Sequence, residues 1–188
     1  MKSSQDKIAD CLVELLKSLP YCKITVQMIC QQTPVSRNTF YYYFENKDKL
    51  VEWICRNDFM KYCLPYFNIR ENNIGAKSFF VCIKKNRLFY ESIYAYDSGM
   101  LLHRCLANSY RCASEKENLA QFSHPVQNKQ PRVNKEVYHS YCDNGIAAVV
   151  VLWIREGMKD SIEAYARDIA IMLTNSLEDV RDKYLQEI

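Results

Sequence analysis

The chain has 188 residues with a nearly balanced charge, 25 Lys and Arg against 22 Asp and Glu, which gives a formal net charge of +3. Hydrophobic residues make up 48% of the chain and glycine only 4 positions, so the composition argues for a packed core and against disordered or collagen-like structure. The longest uncharged apolar run, 145–154, is too short for a membrane span of roughly 20 residues, and the first ten residues are polar, so we expect a cytoplasmic protein without a membrane span or signal peptide.

The cysteines and histidines show no pattern that indicates a metal site or a catalytic centre. Nine cysteines are scattered without a CxxC pair, and three histidines form no cluster. We interpret the cysteines as reduced thiols that are mostly buried. Because no nucleophile–base pair, carboxylate dyad or metal-ligand spacing is visible either, we expect no enzyme activity and no cofactor.

The predicted elements are helices almost throughout, and the first covers residues 5–19. Its apolar residues recur at i, i+3, i+4 and i+7, the spacing of an amphipathic helix. Ser3 followed by Asp6 predicts a capped start, and Pro20 predicts the end because the residue before a proline is pushed out of the helical region.

Three further capping residues predict a helix-turn-helix. Thr25, Ser36 and Asn46 each precede a helical pattern, and each carries a side-chain oxygen that can accept from free backbone N–H groups. A helix-turn-helix places its second helix in a DNA major groove about 12 Å wide. The predicted helices cover 26–32, 37–44 and a longer stretch that starts at Lys47 and ends near Pro65 or Phe67.

The short helix over 37–44 has two different sides. Val35, Phe40 and Phe44 are predicted to anchor one side in the core. Between Lys17 and Phe44 every charged residue is positive, so the local field suits phosphate although the whole chain is close to neutral. The other side carries the groups that can reach base edges and phosphates: Ser36, Arg37, Asn38, Thr39, Tyr41, Tyr42 and Tyr43.

The stretch 24–44 reads ITVQMICQQTPVSRNTFYYYF and is followed by ENKDKL at 45–50. It closely resembles the DNA-binding signature of TetR-type transcriptional regulators, which has an ITV helix start, a VSRxTFYxYF recognition helix and an xxKxxL start of the next helix. The resemblance covers residues 5–55. The chain departs from the signature in the turn, where Thr33-Pro34 stands in place of a pair such as Ala-Gly.

The resemblance and the side-chain chemistry together imply a set of DNA contacts. Arg37 and Asn38 are expected at base edges, because arginine can bind guanine and asparagine can bind adenine through two hydrogen bonds. Tyr41 and Tyr42 are expected on thymine methyls and phosphates, although Tyr41 could instead be part of the core and Arg37 a solvated charge. The remaining contacts are expected at phosphates, from Thr25, Ser36, Thr39, Tyr43 and Lys47, and Lys47 too has the alternative of a solvated side chain.

The rest of the chain predicts a second helical unit. The expected architecture is therefore all-α, with an N-terminal three-helix DNA-binding domain at 1–55 and a C-terminal ligand-binding and dimerisation domain at 56–188. The polar segment Asn118–Asn134 is expected to be a long loop. Further helices are predicted over 75–86, from about 87, over 99–115, over 135–156 and from 162 onward.

The run 147–154 is rich in β-branched residues, and a buried strand is the alternative to a helix there. Gly157 as a C-terminal cap and the lack of a partner strand favour the helix, and Ser161 is predicted to cap the last helix. The segment IREGMKDS at 154–161 resembles the bend between the last two large helices of the family, in the branch similar to dihydroxyacetone-kinase regulators.

In that family the last two helices pair with those of a second copy, which implies a homodimer on a palindromic operator. One helix-turn-helix buries too little surface for specific binding, whereas two copies about 34–36 Å apart match half-sites one DNA turn apart. The alternative is that these helices pack only within the monomer. The expected interface residues are Val150, Trp153, Ile162, Ile169, Met172, Leu173 and Leu177.

The resemblance also implies a small-molecule pocket beneath the fourth helix, whose occupation changes the spacing of the two DNA-binding units. The resemblance therefore implies a dimeric repressor released by an effector, and the alternative is a co-activator that acts through a protein partner with little or no DNA binding of its own. The expected lining residues, each of which could instead be core, are Phe59, Tyr62, Tyr66, Phe80, Tyr90, Tyr94, His103 and Tyr110.

Overall fold

The computed structural model describes residues 2–66, 72–116 and 134–174, and within these ranges the chain is all-α, as predicted, without a strand. None of the described helices is long and apolar enough to cross a membrane. The predicted loop at 118–133 and the last residues of the chain lie outside the described ranges. The helices are α1 Ser4–Leu15, α2 Val26–Gln31, α3 Arg37–Tyr43, α4 Lys47–Tyr62, α5 Asn72–Lys85, α6 Arg87–Asp97, α7 Met100–Lys116, α8 Lys135–Arg155 and α9 Ile162–Thr174, with 3₁₀ turns at Tyr21–Lys23 and Leu64–Tyr66.

The start of α1 is a capping box, which confirms the predicted start. The Ser3 hydroxyl accepts from the Asp6 backbone N–H at 3.1 Å, and the Asp6 carboxylate accepts from the Ser3 backbone N–H at 3.0 Å. The regular helix ends at Leu15, four residues before the predicted end, and the chain continues in a turn to Pro20.

The helix-turn-helix has the three predicted caps. Thr25, Ser36 and Asn46 each accept through the side-chain oxygen from the backbone N–H three residues later, at 3.3, 3.1 and 2.9 Å. These bonds satisfy donors that have no partner inside a helix, and they fix where α2, α3 and α4 begin.

The later helices pack around α4, which lies along α5 and α7, while α8 packs on α7 and α9 on α5. The apolar run 147–154 is helical, as the C-cap argument predicted. Gly157 donates to the Ile154 carbonyl and Met158 to the Trp153 carbonyl, both at 2.9 Å, which is the bonding pattern of a Schellman motif. Ser161 then caps α9, since its hydroxyl accepts from the Ala164 N–H at 3.3 Å.

Three residues that were expected to form the dimer interface are instead buried inside one chain, and that expectation is wrong for them. Val150, Trp153 and Ile169 belong to the core, where the Trp153 ring lies 4.9 Å from that of Phe80 and its indole N–H donates to the Asp160 carbonyl at 3.3 Å. They leave no surface for a partner. Of the other four, Ile162 is half-buried, Met172 is exposed, and the Leu173 side chain and all of Leu177 lie outside the described residues.

The structure joins none of the nine cysteines in a disulfide, and five of them are buried. Burial raises the pKa of the Cys63 thiol to about 12. At neutral pH this cysteine is therefore a protonated, unreactive part of the core. The buried five are Cys11, Cys55, Cys63, Cys82 and Cys105.

Two glycines with left-handed backbone allow a matched test of this packing. Gly99, between α6 and α7, has φ +90°, and a Cβ there would lie 2.8 Å from the Tyr94 ring and 3.0 Å from a Val151 methyl. Gly157 has φ +77°, but a Cβ there would meet only the flexible Lys159 side chain, at 3.6 Å.

We therefore expect Gly157→Ala to lower the free energy of unfolding by about 1 kcal/mol, the cost of the left-handed backbone alone. Gly99→Ala should lose a further 1–3 kcal/mol or so, because overpacking adds to that strain. Urea unfolding followed by circular dichroism measures both. Equal losses in the two variants would show that Tyr94 and Val151 give way freely and that the turn is not tightly packed.

Candidate DNA-binding surface

α3 is a helix of seven residues, and the burial of one of its sides stabilises it. Val35, Phe40 and Phe44 are buried, as predicted, and the Phe40 ring lies 5.6 Å from that of Phe44. The Phe44 ring in turn lies 6.0 Å from Trp53 of α4. An isolated helix of this length is unstable in water, so this aromatic packing holds α3 on α4 and fixes which side faces outward.

The outward side carries the residues that the sequence predicted to contact DNA. Arg37 and Asn38 are exposed in the first turn, and Tyr41 and Tyr42 are exposed in the second, with 82% of Tyr42 accessible to solvent. Tyr41 is 55% exposed and packs on Phe40, so it lies at the edge of the core. Tyr43 is also exposed, while Thr39 is half-buried.

The exposed tyrosines are braced against neighbouring rings. Tyr42 meets Tyr43 edge to face at 5.0 Å, and Tyr41 meets the buried Phe40 in the same way at 5.6 Å. Such contacts restrict the side-chain conformers, so fewer of them need to be ordered when a ligand binds. The side of α3 is therefore a partly pre-organised surface rather than a set of mobile side chains.

The hydroxyls of Ser36 and Thr39 are bonded to each other. Their oxygens lie 2.9 Å apart, and Ser36 Oγ also accepts from the Thr39 backbone N–H. One hydroxyl must donate to the other, so the pair keeps one hydroxyl proton for an outside acceptor such as phosphate. Thr25 is also exposed, and its hydroxyl likewise accepts from the backbone N–H three residues later, at the start of α2.

Lys47 has a structural role that the sequence did not indicate. Its Nζ donates to the carbonyls of Tyr21 and Ile24, at 2.8 and 3.0 Å, and lies 4.2 Å from the centre of the Tyr21 ring. Burial lowers the pKa of this lysine. Two of its three protons are used within the protein, so it joins the start of α4 to the segment before α2 and has at most one N–H for a phosphate.

The charge around α3 is as the sequence indicated. Arg37 is exposed, and Lys23 at the end of the first 3₁₀ turn is exposed as well. The acidic side chains at the start of α4 have partners, since Asp48 accepts from the Tyr21 hydroxyl at 2.6 Å and Glu52 pairs with Lys49 at 2.9 Å. Arg37 on α3 and Lys23 beside it are thus positive side chains that can attract a polyanion, while the exposed Glu45 follows the helix.

Only part of the expected ligand pocket comes together. Phe59, Tyr66, Phe80 and Tyr110 line a cavity of about 30 Å³ between α4, α5, α7, α8 and α9. Its remaining lining is apolar or small: Cys63, Gly75, Ala76, Phe79, Ile146, Val150 and Ile169.

The other four residues expected in that pocket lie elsewhere, so the expectation is corrected for them. Tyr62 lines a separate cleft along α5. Tyr90 is fully buried and donates its hydroxyl to Asp58 at 2.9 Å, and burial raises the pKa of that carboxyl. Tyr94 packs at the Gly99 turn, and His103 Nε2 donates to the Asn144 carbonyl at 3.2 Å.

Comparison with known proteins gives two family matches that together span most of the chain. Residues 10–54 match the family described as bacterial regulatory proteins, tetR family. Residues 73–175 match the family described as transcriptional regulator C-terminal region, of TetR type.

Individual proteins similar to this chain are also transcriptional regulators. The HTH-type dhaKLM operon transcriptional activator DhaS of Lactococcus lactis subsp. lactis (strain IL1403) is 31% identical over 100 residues. That alignment covers 51% of this chain and 51% of the relative, so the chain matches about half the length of that protein.

Two solved structures share the fold. The dihydroxyacetone kinase operon activator DhaS superposes with a TM-score of 0.56 at 23% identity, covering 90% of this chain and 93% of that one. The fatty acid degradation regulator FadR from Bacillus halodurans superposes with a TM-score of 0.51 at 14% identity, covering 94% and 98%. At these identities the likeness concerns the fold alone.

The cap of α3 can be tested separately from any ligand. We expect Ser36→Ala to lower the free energy of unfolding by about 1 kcal/mol, because the Thr39 N–H loses its acceptor. Ser36→Asp should keep wild-type stability, since aspartate caps a helix as well as serine does. Thermal and urea unfolding of both variants measure this. If Ser36→Ala unfolds like the wild type, the cap does not hold α3.

Proposed function

The chain belongs to the TetR family of transcriptional regulators, whose members are not enzymes, and from that premise we propose that it is a dimeric regulator that reads a palindromic DNA operator with α3. The observation that carries the proposal is the division of α3 into a buried side and an exposed one. Phe40 and Phe44 are buried and anchor the helix, with Phe44 against Trp53 of α4, and the exposed side presents Arg37, Asn38 and the tyrosines outward.

Within this proposal the DNA contacts divide into two kinds. Arg37 and Asn38 read base edges, and Tyr41 and Tyr42 contact thymine methyls and phosphates. The phosphate contacts set the position of the protein on the duplex without reading sequence. They come from Thr25, Ser36, Thr39, Tyr43 and the remaining N–H of Lys47.

We also propose the two domains expected from the sequence, a DNA-binding domain at 1–55 and a regulatory domain at 56–188. α4 runs through this boundary as one uninterrupted helix, Lys47–Tyr62. The two domains are thus joined by a rigid element. A displacement of α4 in the regulatory domain therefore also changes the position of α3. Because the target is genomic DNA, the site of action is the cytoplasm.

The proposed dimer forms through one exposed side of α8. Val137, Tyr141 and Ala148 are exposed there, at spacings of four and seven residues that place them on the same side of the helix. Gly145 lies between them, and a Cβ at that position would meet nothing within 4 Å, so a second helix can approach closely. Met172 of α9 is a further exposed apolar residue, and this surface replaces the three buried residues expected from the sequence.

We place the proposed effector at the small apolar cavity beside α4. The cavity of about 30 Å³ is too small for an organic molecule, so an effector must widen it and displace the helices that line it. Phe59 is one of the lining residues and belongs to α4. An effector that favours the widened form shifts the population away from the arrangement that binds the operator, which is release of a repressor.

A second candidate is a transcriptional activator that works through a protein partner. The similar protein from Lactococcus lactis is named as an operon activator, and this observation favours activation. A mobility-shift titration at increasing salt separates the candidates, since a DNA-binding regulator loses affinity steeply with salt whereas a recruited factor gives no shifted band alone. A promoter–reporter fusion in cells then gives the direction of regulation.

The base-reading role of Arg37 predicts a specific defect. Selection of bound sequences from a random DNA pool should yield a palindrome with half-sites one turn apart. On that operator, Arg37→Ala should cost about 1–3 kcal/mol of binding free energy and relax the base preference at one position of each half-site. Arg87→Ala, an exposed arginine of α6, is the matched control and should bind like the wild type.

Both variants should keep the stability of the wild type to within about 0.5 kcal/mol, because each change is at the surface. Wild-type affinity and unchanged base preference in Arg37→Ala would exclude the proposed reading surface.

The dimer surface predicts that a charge at Tyr141 separates the two copies. Tyr141→Asp should sediment as a monomer at concentrations where the wild type is a dimer, because a carboxylate would be desolvated in the interface. Met100→Asp changes an even more exposed apolar residue, on α7, and should leave the dimer intact. Sedimentation velocity measures both, and a dimeric Tyr141→Asp would move the interface away from α8.

A further inference from the structure

We propose that Tyr96, at the end of α6, is a positioning residue for DNA reading that acts through Tyr21 and Lys47. The inference rests on the proposed function, since it concerns how the regulatory domain holds the DNA-binding domain in place. It adds a contact between the two domains that does not pass along α4.

Tyr21, Lys47 and Tyr96 form a cluster, here called the cation–aromatic cluster. The rings of Tyr21 and Tyr96 meet edge to face with centroids 5.0 Å apart. The Lys47 ammonium lies 4.2 Å from the centre of the Tyr21 ring and 5.8 Å from that of Tyr96. A cation within about 6 Å of a ring centre is attracted by the ring quadrupole, so both rings help to hold the ammonium.

The cluster fixes the backbone that leads into the helix-turn-helix. Lys47 bonds to the carbonyls of Tyr21 and Ile24, and Ile24 directly precedes Thr25, the cap of α2. The Tyr21 hydroxyl bonds to Asp48 at 2.6 Å, next to Lys47 on α4. Displacement of the ammonium would release two carbonyls at once and free α2 to move against α4. Because α3 packs on both, its direction would change as well.

Tyr96 brings the regulatory domain into this cluster. It belongs to α6, packs on the first 3₁₀ turn and remains 44% exposed. After the end of α6 the chain turns through left-handed backbone at Ser98 and Gly99. A Cβ at Gly99 would collide with Tyr94 of α6 and with Val151 of α8. Since this turn has no spare room, the end of α6 cannot shift independently of α8. The contacts thus connect the proposed dimer helix to the segment that precedes α2.

A purely stabilising role for Tyr96 is the alternative, and the two roles differ in what a mutation changes. A stabilising residue that is nearly half exposed alters the unfolding midpoint slightly and leaves the folded protein with normal affinity. A positioning residue lowers operator affinity while the protein stays folded. It also leaves the salt dependence of binding unchanged, because it removes no phosphate contact.

The test compares Tyr96→Leu with Tyr96→Phe and with Leu88→Ala in the full-length protein, on the operator selected for the wild type. Leu88 is on the same helix and is also 44% exposed, so it is a matched control. We expect Tyr96→Leu to bind about tenfold more weakly with an unchanged salt slope, and Tyr96→Phe and Leu88→Ala to bind like the wild type. If Tyr96→Leu is unfolded by circular dichroism, Tyr96→Met keeps the side-chain volume without the ring and takes its place.

A double-mutant cycle identifies the route of the effect. In a Lys47→Met background the ammonium is already absent, so Tyr96→Leu should cause little further loss of affinity. Equal losses in both backgrounds would overturn the route through Lys47. Binding of Tyr96→Leu within twofold of the wild type would overturn the inference as a whole. Failure of the wild type to bind any selected duplex would instead overturn the proposed function.

Discussion

The structure depends on the burial of Phe40 and Phe44, which anchors one side of α3 in the core. An isolated helix of seven residues is unstable because its nucleation is unfavourable. α3 therefore forms because these two rings and Val35 are buried in the core. The same burial determines that Arg37, Asn38 and the tyrosines face solvent, because the helix period places them on the side opposite to the buried residues. Core packing and the proposed reading surface are two results of one contact, and a change that loosens Phe40 would therefore affect both.

The parts of the fold that the sequence predicted well are those controlled by neighbouring residues. The caps at Ser3, Thr25, Ser36, Asn46 and Ser161 were predicted because a short polar side chain bonds to a backbone group three residues away, and nothing distant interferes. The Schellman motif at Gly157 was predictable for the same reason. The exposure of Tyr41 and Tyr42 followed from the period of a helix whose other side is anchored.

The parts that the sequence did not predict depend on contacts between distant segments. An apolar stripe on α8 and α9 indicates that something covers it, but not whether the cover is the same chain or a second copy. Val150, Trp153 and Ile169 are covered by the same chain. Lys47 was expected at phosphate because it stands at the start of a helix. Its partners are backbone carbonyls more than twenty residues earlier, and no side-chain pattern marks a carbonyl as an acceptor. In the same way, eight aromatic or polar residues were grouped in one pocket, and helix packing separated four of them.

Asp58 of α4 is half-buried and accepts from the fully buried Tyr90 of α6, and this carboxyl makes the stability of the fold depend on pH. Because burial raises the pKa of Asp58, the folded chain holds its proton more tightly than the unfolded chain does. The ionised Asp58 carboxylate therefore lowers the free energy of unfolding. This loss is recovered as the pH falls through the pKa of Asp58 in the folded chain toward its pKa in the unfolded chain. Glu163 acts in the opposite sense, because its hydrogen-bonded ion pair with Lys77 lowers its pKa. Acidification therefore weakens this surface pair while it relieves the penalty at Asp58, between α4 and α6.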